Sequence, residues 1–240
     1  MSTLSFLVLG VLLGMKHATE ADHLTAMATL TSGQRSLADS MKLGVAWGLG
    51  HTLTLMLFGG VVLGLGTRIP PRLEQALELA VSVMLMALGI DVLRRLLQRQ
   101  IHVHVHRHDL GVKHVHAHSH AGDDGKVHSG QHRHEHHYVP PLRALAVGMM
   151  HGMAGSAALV ALSLGTVSSR FMGVIYIAAF GLGSIAGMAL LSVVITLPMR
   201  WSAVHLGRLH GRVTALVGGF SCALGAVIFY RIGVMEGLLF

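Results

Sequence analysis

Four ionisable side chains fall within seven residues of an otherwise apolar stretch, in His17-Ala-Thr-Glu20-Ala-Asp22-His23. Two imidazoles and a carboxylate form a ligand set for a divalent first-row metal, imidazole suiting nickel, copper, zinc and iron. At about 100° per residue on a straight helix, Asp22 falls about 140° and His23 about 240° around from His17. A continuous helix therefore splays them. For all three to meet one ion, the helix must break, or one member must act from behind the others. The plainer alternative makes Asp22 and the histidines interhelical hydrogen-bonding glue. Four costly groups in seven positions are too many for glue alone, because ionisable groups at membrane depth are expensive and usually functional. His51, followed by Thr52 and Thr54, and His151 are single histidines inside further apolar runs.

The elements that must position these residues are membrane helices. The chain has 240 residues, 52% of them hydrophobic, and 12% charged, about half the charge of a soluble domain. A spanning helix needs about 20 mostly apolar residues, and six segments qualify, roughly 4–30, 42–66, 73–97, 142–166, 171–197 and 213–233. The net charge of +7 reports topology rather than nucleic-acid binding, since basic residues concentrate on the cytoplasmic side of membrane proteins. Cys222 is the single cysteine, so no intramolecular disulfide is available. No signal peptide is expected, because the first apolar run lacks a basic flank and a small-x-small site.

Thirteen of the 19 histidines lie between His102 and His137. The surrounding segment, 98–141, offers almost no apolar surface to bury and is expected to be a disordered loop, although His102-Val-His-Val-His106 mimics a strand. On either side of it the sequence repeats. Gly14-Met-Lys-His17 returns as Gly148-Met-Met-His151, Gly48-Leu-Gly-His51 as Gly181-Leu-Gly-Ser184, and Ala87-Leu-Gly89 as Ala223-Leu-Gly225. The offsets are 134, 133 and 136. Small-residue spacings such as Gly10-xxx-Gly14 and Gly148-xxx-Gly152 sit beside the same positions and suit close helix packing. An odd number of spans per repeat inverts the second copy, which is a transporter plan. The expected fold is thus an all-α integral membrane protein of six transmembrane helices. They form two inverted three-helix repeats, 1–97 and 142–240, with the His-rich loop between. Thirteen basic residues fall near the loops of one side and four (Arg68, Arg72, Arg170, Arg231) near the other. That bias puts the histidine loop in the cytoplasm and both termini outside the cytoplasmic (inner) membrane.

His17-Ala-Thr-Glu-Ala-Asp22-His23 resembles the H-A-x-x-x-D-H signature of the nickel/cobalt transporters, the NiCoT family, with its shorter urease-accessory permease relatives. Leu49-Gly50-His51-Thr52 is similar to the second signature of that family. The resemblance implies a secondary permease taking up Ni2+ or Co2+, with metal-binding roles on His17, Asp22, His23 and His51. His151 joins them as the repeat mate of His17. Many members have eight spans, against six counted here.

The function expected is movement of a divalent metal ion as substrate, without enzymatic activity and without a cofactor. The sequence contains no nucleotide-binding P-loop, so transport is secondary or depends on a separate ATPase. Membrane potential contributes about 2.3 kcal/mol per charge per 100 mV, roughly twice that for a divalent ion moving inward. The rivals are an exporter of the same fold, for which the histidine loop is a natural collector, a metal sensor, and a membrane metalloenzyme. The last needs dense histidine boxes on ordered helix ends, which the intramembrane histidines do not supply. The lipid bilayer is the one certain environment. A cytoplasmic metallochaperone or a second copy of the chain are candidate partners, and nucleic acid is not. The loop histidines, mostly neutral at cytoplasmic pH, are expected to bind metal weakly without being required for translocation.

Overall fold

The computed structural model describes residues 3–32, 34, 36–66, 69–98, 101–107, 113–119, 141–154, 169–205 and 208–239. Its membrane part is all-helical. In chain order the helices are α1 (Thr3–His17), α2 (Ala21–Thr31), α3 (Leu37–Leu65), α4 (Pro71–Gln98), α5 (Pro141–Ala154), α6 (Arg170–His205) and α7 (Arg208–Tyr230), followed by a π-helical turn, Arg231–Met235. Helices α3, α4, α6 and the segment Leu209–Met235 are each long and apolar enough to cross a membrane. A fifth span results if α1 and α2, bent by 59° at their junction, count as one. The fourth expected span, 142–166, is described only through Ala154, so its remainder lies outside the described residues.

Exposure differs from that of a water-soluble bundle. Leu49, Leu53, Leu57, Leu182, Leu190, Leu216, Phe220 and Val227 face outward, whereas His51, Ser82, Ser184, Ser192, Thr196 and Ser221 are fully buried. Lipid accepts the exposed apolar faces, while polar side chains must find partners inside the bundle. Ser221 Oγ, for example, donates to the Leu85 carbonyl across the α4–α7 contact at 2.8 Å. Pro198 lies inside α6, where the sequence predicts the helix to end and a connection to begin. Membrane helices tolerate such an internal proline more readily than soluble ones.

Helix α6 packs on α1 and α3, α5 packs on α3, and α4 packs on α7. Glycines set the closest approaches. A Cβ at Gly14 would strike the Phe180 carbonyl, and one at Gly148 would strike the Trp47 carbonyl. Likewise Gly183 meets the Val11 carbonyl and Gly50 the Leu145 carbonyl, while Gly89 meets Gly218 and Cys222 and Gly225 meets Ser82 and Met86. Any larger residue at these points separates two backbones.

Within the His-rich segment, Ile101–Arg107 and Lys113–Ser119 pair as an antiparallel ribbon, with Ile101 opposite Ser119 and His104 opposite His116. The period-2 alternation with Val supplies strand propensity, although a lone two-stranded ribbon is only marginally stable in water. The rest of the loop, including its other histidines, lies outside the described residues.

Candidate metal centre

The site begins where the first span breaks. Helix α1 ends because Thr19 and Glu20 close tight turns, their N–H groups donating to the Lys16 and His17 carbonyls at 2.9 and 3.0 Å. Thr19 Oγ1 also donates to the Lys16 carbonyl, at 2.6 Å. Glu20 is extended (φ −65°, ψ 151°) and caps α2, whose first turn opens with the Leu24 N–H on the Glu20 carbonyl. The break leaves His17 in the last turn of α1, near the negative end of its dipole. It leaves Asp22 and His23 in the first turn of α2, where the positive end favours a carboxylate.

The bend undoes the splay of a straight helix. The His17 and His23 rings have centroids 4.4 Å apart, and His51 from the middle of α3 lies 5.2 Å from His17 and 5.4 Å from His23. His151 from α5 completes the group, 4.2 Å from His23. All five residues singled out in the sequence, His17, Asp22, His23, His51 and His151, thus come together from four helices. One ligand atom each of His17, His23 and His51 lie within 4.8 Å of one another, and so do those of Asp22, His23 and His151.

Asp22 divides its two oxygens between two imidazoles. Oδ1 accepts from His23 Nδ1 at 3.0 Å and from the His23 backbone N–H at 2.9 Å. Oδ2 accepts from His151 Nε2 at 2.8 Å. Glu20 Oε1 lies 3.0 Å from His17 Nδ1. A carboxylate has only acceptors to offer, so each contacted ring nitrogen carries its proton there, and the opposite nitrogen keeps a lone pair. Those opposite atoms are His17 Nε2, His23 Nε2 and His151 Nδ1. Together with both nitrogens of His51, they are buried without a hydrogen-bond partner among the described residues. An unsatisfied buried polar atom costs about 1–3 kcal/mol. Five at one point are far better explained by a ligand than by packing. The carboxylate–imidazole pairing is also how metal sites fix the tautomer and raise ligand basicity. Of the two ways the sequence allowed the motif to meet one ion, the structure contains both a broken helix and a carboxylate set behind two imidazoles.

Two aromatics that the sequence reading passed over wall the cluster. Trp47 lies parallel to the His23 ring, 5.6 Å away and 7° from coplanar, and Phe180 lies 5.4 Å from His17. Trp47 precedes His51 by about one helical turn, but that spacing alone does not distinguish either aromatic from ordinary packing. A cavity of about 250 Å3 adjoins the cluster, lined by His17, Glu20, Asp22, His23 and His151 and also by Glu78 and Arg231. Glu78, an acidic residue within an apolar span, carried a sequence signal that was not followed.

Helices with lipid-facing apolar surfaces around a buried polyhistidine centre define a multi-pass integral membrane protein. The chain is 34% identical over 235 residues to Urease accessory protein UreH of Bacillus sp. (strain TB-90), which covers 98% of this chain and 95% of that relative. The chain belongs to the nickel/cobalt transporter family, close to its shorter urease-accessory members. No protein-family model matches the chain, and no solved structure matches it.

Proposed function

We propose that this protein is a secondary permease that carries Ni2+, or Co2+, inward across the cytoplasmic membrane through the His17–Asp22–His23–His51–His151 centre. One observation carries the reading. Five unpartnered imidazole nitrogens on four helices converge at a break in an apolar span, and discontinuous helices are how transporters present ligands at membrane depth. Imidazole-rich coordination favours Ni2+ and Co2+ over Mg2+, which prefers oxygen alone. Kinship with a urease accessory protein is consistent with nickel as cargo.

In this reading the imidazoles of His17, His23 and His51 bind the ion, and His151 offers a fourth nitrogen. Asp22 orients two of them and balances charge. The two halves form inverted three-helix repeats. The support is reciprocity of contact: Gly14 on Phe180 matches Gly148 on Trp47, Gly183 on Val11 matches Gly50 on Leu145, and Gly89 on Cys222 matches Gly225 on Met86. Every partner is related by the offsets of 133, 134 or 136 found in the sequence. Rocking of one repeat against the other then opens the centre to alternate sides. The His-rich loop is cytoplasmic in this reading, and both termini are outside.

The test is ⁶³Ni2+ uptake into proteoliposomes bearing an inward-negative potential. Accumulation is expected, and it is expected to disappear with His23→Ala or His51→Ala. Uptake unchanged by both substitutions would remove the centre from the transport path. Cells expressing the protein become more sensitive to nickel if it imports and more resistant if it exports.

A further inference from the structure

The cavity beside the histidines has a second, charged end that the metal centre does not use. Glu78 of α4 and Arg231, just past α7, line it together with Glu20. Arg231 is shared between two carboxylates: one Nη lies 3.4 Å from Glu78 Oε2, and Nε lies 3.3 Å from Glu236 Oε1. Glu236 is held in turn by Gln75 Nε2, which donates to its other oxygen at 3.2 Å. In the same cavity, His23 and His151 are no more than 2% exposed and carry nitrogens without partners among the described residues. The Glu78 and Arg231 side chains are 37% and 58% exposed. One cavity therefore joins a buried cluster suited to a cation with an accessible carboxylate that a resident cation already occupies. A six-water shell at about 30 Å3 per water needs about 180 Å3, which the cavity's 250 Å3 accommodates.

We propose that Glu78 is a relay carboxylate for the divalent cation on its path between one membrane face and the histidine cluster, and that Arg231 is the counter-cation it displaces. The proposal rests on the transport reading above. With no metal present, Arg231 neutralises Glu78. A pair this long and exposed is weak and readily exchanged. When a doubly charged ion arrives, it takes the Glu78 carboxylate while Arg231 stays on Glu236, and the net charge of these groups passes from −1 to +1. When the ion moves on to the imidazoles, Arg231 returns and closes the carboxylate to a second ion. Clefts lined by charge raise local cation concentration and on-rates by roughly 10–10³-fold, and Arg231 offsets that focusing until metal arrives.

The experiment compares equilibrium Ni2+ binding in detergent with initial-rate Ni2+ uptake in proteoliposomes, for full-length unmodified protein, Glu78→Gln and Arg231→Gln. Both variants are expected to bind Ni2+ at the buried centre within about twofold of unmodified protein, while their uptake moves in opposite directions. Glu78→Gln lowers kcat/KM by about tenfold or more, and Arg231→Gln raises it by about threefold through a lower KM. An ion pair that only braced α4 against the C-terminal segment would make both variants slower, since either one breaks it. Parallel losses, or Glu78→Gln at the unmodified rate, overturn the proposal. Glu78→Asp, which keeps the carboxylate, is expected to retain most of the uptake that Glu78→Gln loses, and failure to do so also overturns it. Unmodified protein that neither binds nor moves nickel overturns the transport reading, and the relay with it.

Discussion

Asp22 Oδ2 accepts a hydrogen bond from His151 Nε2 at 2.8 Å, joining residues 129 positions apart. The same carboxylate holds His23 through its other oxygen. One aspartate thereby sets the tautomer of two imidazoles from opposite halves of the chain. Asp22 also fixes the orientation of both rings.

Replacing Asp22 by Asn keeps the shape but removes the charge and one acceptor. Partners behind metal ligands typically contribute 10–100-fold in affinity. Asp22→Asn is expected to weaken Ni2+ binding by about that factor, measured by equilibrium dialysis of purified protein, while His23→Ala abolishes it. Equal and complete loss in both variants would mean that Asp22 is itself a ligand.

Metal and proton compete for the same imidazole lone pairs, so binding releases protons. The Ni2+ Kd is expected to rise as the pH is lowered into the range in which these imidazoles charge. Titration calorimetry in buffers of different ionisation enthalpy reads the protons released. A Kd that fell on acidification would exclude imidazole as the main ligand.

The glycines at the helix contacts are expected to tolerate no side chain. At Gly14 a Cβ would lie against the Phe180 carbonyl and 2.8 Å from the Ser184 nitrogen, whereas at Gly60 it would meet nothing within 4 Å. Overpacking a close contact costs about 1–3 kcal/mol or more. Gly14→Val and Gly148→Val should lower the Tm in detergent markedly, and Gly60→Ala should leave it unchanged or raise it. A Tm insensitive to Gly14→Val would show that α1 and α6 are not in contact as described.

Deleting residues 102–137 separates the two histidine populations. The shortened protein is expected to lose weak, superstoichiometric Ni2+ binding and to keep both the tight site and uptake, as read by metal analysis and ⁶³Ni2+ accumulation. Loss of uptake on deletion would make the loop part of the transport path.

Much of the centre was legible before any fold was known. His17, Asp22 and His23 stand out because charged and imidazole groups are rare in apolar runs, and their angular spacing already demanded a break or a supporting role for one member. Trp47 and Phe180 were not legible, because an aromatic in an apolar span is indistinguishable from ordinary packing. Pro198 misled for a related reason: proline commonly ends helices in water-soluble proteins, but α6 continues through it, as membrane helices tolerate.

The sequence by itself determined that the chain is a membrane protein and where its apolar segments run. Composition and period are local properties, and they survive without a fold. Only the tertiary structure decided that Asp22 bonds two histidines, and that Glu78 and Arg231 share its cavity. Those facts depend on which faces of separate helices meet, and backbone contacts at glycines such as Gly14 and Gly148 determine that.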